Sequence, residues 1–193
     1  MFPSPKKRRV LFSWALLSWA IVSWTLPSQA TAQDADLIYD DGTPAGVLDI
    51  LSPGDIEATR MTPAHPAQVT SVSLYFATAG CNAQVRIWAD NGGNAADLDT
   101  LLYQVEVTVD ATGWFDIQIP PDTVVLDPPA HFYVGHVLDD PSCGVAWDAS
   151  GTDEIRSMAR IDGSWYFIGD PNNGSQGIDA LIRATVSYFG VLP

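Results

Sequence analysis

Basic residues are scarce in this sequence, and lysine is absent after residue 7. Four of the nine basic residues lie within the first ten positions, whereas all 23 acidic residues lie after residue 33. The chain from residue 33 onward therefore carries five arginines against 23 acidic side chains. Such a segment repels nucleic acid and anionic membrane surfaces, so we expect no nucleic-acid partner.

Cysteine is also rare, with only Cys81 and Cys143 present. Two cysteines within one exported domain usually pair, so we predict a disulfide between them. The alternative is a free catalytic thiol, but no cysteine–histidine spacing in the sequence supports that interpretation.

The common signatures of catalysis are missing. There are three histidines, and the sequence has no HExxH motif, no GxSxG elbow and no phosphate-binding loop. His131 and His136 fall on opposite faces of one strand because their separation is odd, so that strand alone cannot present a two-histidine metal site. We therefore predict a protein that is not an enzyme. A glycan-active hydrolase with two facing carboxylates is the alternative, since sequence does not reveal such a pair.

No stretch has the period of an amphipathic helix. Short alternating segments follow one another instead, separated by Gly, Pro, Asn and Asp. The clearest are Cys81–Ala89 and Leu101–Val109, and Asp162-Gly163 is typical of a hairpin turn. We predict an all-β fold: an antiparallel, jelly-roll-like β-sandwich of about ten strands, forming a single domain over residues 33–193.

The amino-terminal residues 1–32 have the pattern of a secretory signal peptide. Four basic residues precede an apolar run from Val10 to Leu26, and an Ala-x-Ala pattern ends at Ala32. An uncleaved membrane anchor is the alternative, since the apolar run is long. We expect a secreted or periplasmic protein, without membrane insertion after cleavage.

An acidic loop follows the strand Cys81–Ala89. It offers oxygen ligands of the kind that Ca²⁺ prefers, from Asp90, Asn91, Asp97 and Asp99. A structural calcium ion is one expectation. The other is that Asp, Asn and Gly serve only to turn the chain there.

Aromatic and polar side chains alternate with the apolar ones on three successive segments. If Cys81–Ala89, Leu101–Val109 and Trp114–Ile119 form a meander, one outward face carries Arg86, Trp88, Gln104, Glu106, Trp114 and Asp116. Flat rings among amide and carboxylate groups suit saccharide binding, so we predict a ligand site on this face. The alternative is that the tryptophans only cover the sandwich.

The chain resembles the galactose-binding-like and carbohydrate-binding-module-like jelly rolls of secreted bacterial proteins. The resemblance is carried by Tyr39-Asp40-Asp41-Gly42, Val85-Arg86-Ile87-Trp88 with Asn91-Gly92-Gly93-Asn94, Phe132-Tyr133-Val134-Gly135 and Ala180–Val186. It implies a module that binds a glycan or another cell-surface polymer and that holds a structural calcium ion. A structural or protein-interaction module without a small ligand is the alternative.

Overall fold

A computed structural model describes residues 32–48, 51–90, 98, 100–126, 130–140, 142–149, 156–168 and 177–189. Every regular element in these ranges is a β-strand, and every strand pairing is antiparallel. Numbered along the chain, the strands are β1 (Gln33–Leu37), β2 (Gly46–Val47), β3 (Ile56–Met61), β4 (Ala67–Phe76), β5 (Cys81–Ala89), β6 (Leu101–Val109), β7 (Gly113–Gln118), β8 (Val125–Leu126), β9 (Phe132–Leu138), β10 (Ala146–Asp148), β11 (Ser157–Ile161), β12 (Ser164–Phe167), β13 (Asp179–Ala180) and β14 (Ile182–Tyr188).

Two large sheets form the sandwich. The five-stranded sheet has the order β1-β14-β4-β7, with β8 pairing to one end of β4, and the six-stranded sheet has the order β12-β11-β3-β9-β5-β6. A three-stranded sheet, β13-β10-β2, completes the pairing. The predicted all-β, antiparallel sandwich is confirmed. The strand number exceeds ten because β2, β8, β10 and β13 have two or three residues each, too few to show alternation in a sequence.

The hydrophobic core lies between the two large sheets. Strand β4 contributes Val72, Leu74 and Phe76, and β5 contributes Val85 and Ile87 from the opposite side; all five are fully buried. Because successive side chains of a strand point to opposite faces, the intervening residues form the outer face of each sheet. Strands β5 and β6 begin and end where the alternation predicted.

The meander of β5, β6 and β7, on which the predicted ligand face depended, is not formed. Strand β5 pairs with β6 along its length, but β7 pairs with β4 in the opposite sheet. The turn at residues 110–113 therefore carries the chain from one sheet to the other, and β6 is the edge of the six-stranded sheet. Alternation fixes which face a side chain occupies, but it does not fix the neighbouring strand.

The predicted disulfide is confirmed. Cys81 at the start of β5 is bonded to Cys143, with a Cα–Cα distance of 5.7 Å across 62 residues of sequence. Both cysteines are buried. Closing a loop of this length is worth about 4 kcal/mol in the chain-entropy account of disulfide stabilisation.

One polar pair is buried between the sheets. Glu57 of β3 and His136 of β9 are adjacent in the register, and their Oε2 and Nε2 atoms lie 2.6 Å apart. The same carboxylate oxygen accepts a hydrogen bond of 2.9 Å from the backbone N–H of Val145. His136 is thus a hydrogen-bonded histidine of the interior. His131, immediately before the same strand, lies 3.0 Å from the hydroxyl of Thr62 through its Nδ1 atom.

The predicted signal peptide lies outside the described residues, apart from Ala32. Within the described ranges, no helix has the length and apolar character needed to cross a bilayer.

Candidate functional site

A groove of about 480 Å³ lies on the outer face of the six-stranded sheet. It spans several strands, because β12, β11, β3, β9 and β5 stand side by side in that order. Its lining residues are Ile56, Arg86, Trp88, Leu98, Arg160, Gly163, Ser164 and Trp165. We call this feature the groove.

Trp88 belongs to the apolar floor of the groove. It lies opposite Tyr133 in the register and packs in an outer-face cluster with Ile56, Ala58 and Met158. Only 3% of its surface is exposed. The expected open stacking surface at Trp88 is therefore wrong, although the alternation placed the side chain on the correct face. Burial raises the pKa of the neighbouring Tyr133, and Asp90 raises it further, so its phenol stays neutral.

The hairpin between β11 and β12 forms one wall of the groove. Its two central residues, Asp162 and Gly163, both have positive φ, at 49° and 81°, which is the backbone of a type I′ turn. The turn sets the register, so that Arg160 lies directly opposite Trp165. Arg160 is exposed and Trp165 is half-buried. The hairpin thus presents a cation and an accessible indole side by side.

Arg86 extends from β5 into the groove on the other side. Its guanidinium donates to the side-chain oxygen of Gln84, and its Nε is buried without a hydrogen-bond partner among the described residues. The positions beside it in the register are Gly135 and Ala58. A Cβ at residue 135 would lie 2.0 Å from the carbonyl oxygen of Glu57, so only glycine permits this approach of β9 to β3. Because Gly135 and Ala58 have small side chains, the outer face of the sheet forms a depression next to Arg86.

Four of the six predicted ligand-binding residues share this outer face. Besides Arg86 and Trp88, these are Gln104 and Glu106 on β6, which lie opposite Arg86 and Gln84 in the register. Both β6 side chains are exposed.

Trp114 and Asp116 lie on the outer face of the other sheet, because β7 pairs with β4. The indole of Trp114 packs under the guanidinium of Arg183, with 4.1 Å between the guanidinium carbon and the ring centroid, and its edge contacts Tyr75. Asp116 accepts a hydrogen bond of 2.5 Å from the hydroxyl of Ser73. The structure therefore does not bring these two residues to the groove.

A second depression, of about 420 Å³, bears on the hydrolase alternative. It contains two carboxylates, Glu106 and Asp139, with Asn82 and Thr108 between them. Both carboxylates are exposed, so neither has the desolvated surroundings that a catalytic general acid requires. The hydroxyl of Thr108 donates a hydrogen bond of 3.0 Å to Oδ1 of Asn82.

The calcium prediction rests mainly on residues that the structure does not describe. Asn91, Asp97 and Asp99 are outside the described ranges. Asp90 is described, and its Oδ2 accepts a hydrogen bond of 2.9 Å from Nε of Arg60. In the described part of the chain, no three His, Cys, Asp or Glu side chains converge as metal ligands would. Calcium binding stays a prediction.

Sequence reasoning missed Arg160 and Trp165 as site residues. The signal was available, because a two-residue turn at Asp162-Gly163 pairs the residues two positions before and after it. What the sequence did not provide was the strand order that places this hairpin beside β3 and within reach of β5.

Two solved structures share the fold. One is the crystal structure of the cysteine protease and lectin-like domains of Cwp84, a surface-layer-associated protein of Clostridium difficile, with 15% identity, a TM-score of 0.53, and coverage of 70% of this chain and 32% of that chain. The other is a variant of the clostridial cysteine protease Cwp84 after propeptide cleavage, with 15% identity, a TM-score of 0.56, and coverage of 80% and 40%. This chain thus spans less than half of either protein. Neither a comparison with protein-family models nor a search of curated proteins finds a match.

Proposed function

We propose that the protein is a non-catalytic, lectin-like β-sandwich module that binds a saccharide in the groove. The observation that carries this proposal is the side-by-side placement of Trp165 and Arg160, opposite Arg86, over an apolar floor. An accessible indole stacks on the apolar face of a sugar ring, and arginine side chains donate hydrogen bonds to its oxygens. Gln104, on the adjacent edge strand, adds an amide within the same outer face.

The comparisons support this proposal at the level of the fold. One of the two similar structures comprises the cysteine protease and lectin-like domains of Cwp84. Both cysteines of this chain form a disulfide, so it has no thiol nucleophile for protease chemistry. We therefore infer that the resemblance is to the lectin-like part.

An extracytoplasmic location is part of the proposal. It is supported by the signal-peptide pattern of residues 1–32 and by the Cys81–Cys143 disulfide, since such bonds persist in oxidising compartments.

A protein-interaction module is the second candidate function. It is favoured by exposed aromatic side chains on β12, where Tyr166 is 51% and Phe167 is 43% exposed. This strand is the outermost strand of the six-stranded sheet at the end opposite β6, and among the described residues it pairs only with β11, so its other side suits pairing with another chain.

A glycan array probed with the purified protein tests the saccharide proposal. Trp165→Ala is expected to abolish the signals that the unchanged protein gives. Trp114→Ala is the matched control, because it removes the same side chain from the opposite sheet and is expected to keep the binding profile. Thermal unfolding of both variants confirms that they are folded. Equal loss in both variants, or no saccharide bound by the unchanged protein, would contradict the proposal.

A further inference from the structure

We propose that the saccharide held in the groove is acidic, with a carboxylate or a sulfate group bound between Arg86 and Arg160. This inference rests on the proposed function and names the chemical class of its ligand. It follows from how the protein uses its arginines.

Three of the five arginines after residue 33 have their partners away from the groove. Arg60 pairs with Asp90 at 2.9 Å, and Arg183 pairs with Asp40 at 2.5 Å. Arg156 lies over the ring of Tyr39, 4.0 Å from its centroid, and donates a hydrogen bond of 3.0 Å to Thr62.

The other two arginines, Arg86 and Arg160, both line the groove. No carboxylate in the described part of the chain lies within ion-pair distance of either guanidinium. Glu106 is the acidic residue of β6 on this face, and it lies opposite Gln84, two positions of the register away from Arg86. Within the described part of the chain, the groove thus holds two arginines without an acidic partner, although the chain has 23 acidic residues.

The geometry favours an anion from outside the protein. The planar guanidinium matches the two oxygens of a carboxylate or a sulfate, and such charge-assisted hydrogen bonds are stronger than neutral ones. Arg86 is half-buried, so water screens its guanidinium charge less than that of a fully exposed arginine, and the charge attracts an anion in the groove more strongly. The net charge of −14 repels polyanions in general. Binding therefore requires the local contacts of the groove, including a sugar ring against Trp165.

Calorimetric titration with four probes tests the inference. The probes are an oligogalacturonate, a sulfated galactan oligosaccharide, a neutral galacto-oligosaccharide and polyglutamate. The first two separate carboxylate from sulfate, the third tests a sugar without charge, and the last tests charge without sugar. We expect at least one acidic saccharide to bind about tenfold or more tightly than the neutral one, and polyglutamate not to bind.

Charge-matched variants locate the contact. Arg160→Gln is expected to weaken binding of the acidic saccharide about tenfold or more, while Arg160→Lys, which keeps the charge, retains part of it. Arg156→Gln is the control, because it changes the net charge equally at an arginine that does not line the groove, and we expect unchanged affinity. Arg160 is exposed, so its replacement leaves the fold intact.

Every other outcome would contradict either the acidic ligand or the proposed function. Tight binding of the neutral saccharide alone, lost in Trp165→Ala, would overturn the acidic ligand and keep the proposed function. Equal binding of polyglutamate, or equal losses in Arg160→Gln and Arg156→Gln, would show a charge effect without a sugar site and overturn the inference. No binding of any saccharide would overturn the proposed function itself.

Discussion

Each outer face of the sandwich places an arginine against a tryptophan, but only the arginine on the five-stranded sheet is held by a carboxylate among the described residues. On the five-stranded sheet, Arg183 is held by Asp40 and stacked on Trp114. On the six-stranded sheet, Arg160 stands beside Trp165 without a carboxylate among the described residues. The first arrangement is complete in itself, whereas the second has donors and an accessible ring left for a ligand.

A tryptophan and an arginine side by side on a sheet therefore do not by themselves indicate a binding face. A buried ion pair matters for the stability of the fold, because removing one partner leaves the other charge buried without a counter-ion. Exposed, unpaired charges contribute little to stability and are available for binding. Replacing Arg183 should therefore lower the stability of the protein, whereas replacing Arg160 should weaken ligand binding with little effect on stability.

The largest effect on stability is expected from the interior that both faces share. Glu57→Leu removes the acceptor for both His136 and the backbone N–H of Val145, in a site with almost no exposure. We expect a loss of about 3 to 5 kcal/mol in the free energy of unfolding, measured by urea denaturation. Combining it with His136→Phe should recover part of that loss, because no polar side chain is then left without its partner. A loss of less than about 1 kcal/mol in the single variant would show that the pair does not stabilise the fold.

The next effect separates the two faces directly. Arg183→Gln leaves the carboxylate of Asp40, which is 1% exposed, without its counter-ion, and we expect a loss of about 3 kcal/mol. Arg160→Gln makes the same chemical change on the other face and should alter stability by no more than about 0.5 kcal/mol. Urea denaturation of the two variants side by side is the measurement. Similar losses in both would mean that Arg160 is part of the scaffold and that the two faces do not differ.

Some features of the fold and of the groove could be predicted from the sequence, and others could not. The alternation of apolar and polar residues predicted both ends of β5 and of β6, each nine residues long. The disulfide between Cys81 and Cys143 was predicted because two cysteines in an exported domain usually pair. The same alternation placed Trp88 outward, but its burial depends on Tyr133 and Met158, which come from strands far away in sequence. Whether β7 joins β6 or β4 depends on a turn that crosses between the sheets, and no period in the sequence reports such a crossing.

The smallest effect concerns His131, which lies just before β9 on the six-stranded sheet. Burial, together with Arg60 and Arg156, lowers the pKa of His131, while Asp90 partly opposes this. The folded protein thus binds a proton at His131 less readily than the unfolded chain, whose histidine titrates near pH 6.5. Stability from this residue is present above that pH and is lost as the pH falls through it.

His131→Asn, which keeps a polar atom near Thr62, should therefore lose less stability than the unchanged protein between pH 7.5 and pH 5.5. Thermal unfolding midpoints over this pH range provide the comparison. Parallel pH profiles for the two proteins would count against a lowered pKa at this site.

The central claim is that the groove on the six-stranded sheet is the ligand site and that the opposite face is closed. Each tryptophan gives its own indole N–H signal in an NMR spectrum, so titration with an oligogalacturonate, or with the sulfated galactan if that is the acidic saccharide that binds, compares the two faces in one sample. We predict that the Trp165 signal shifts and saturates, while the Trp114 signal stays in place. A saturating shift at Trp114, or shifts at neither residue at saturating saccharide, would contradict the account.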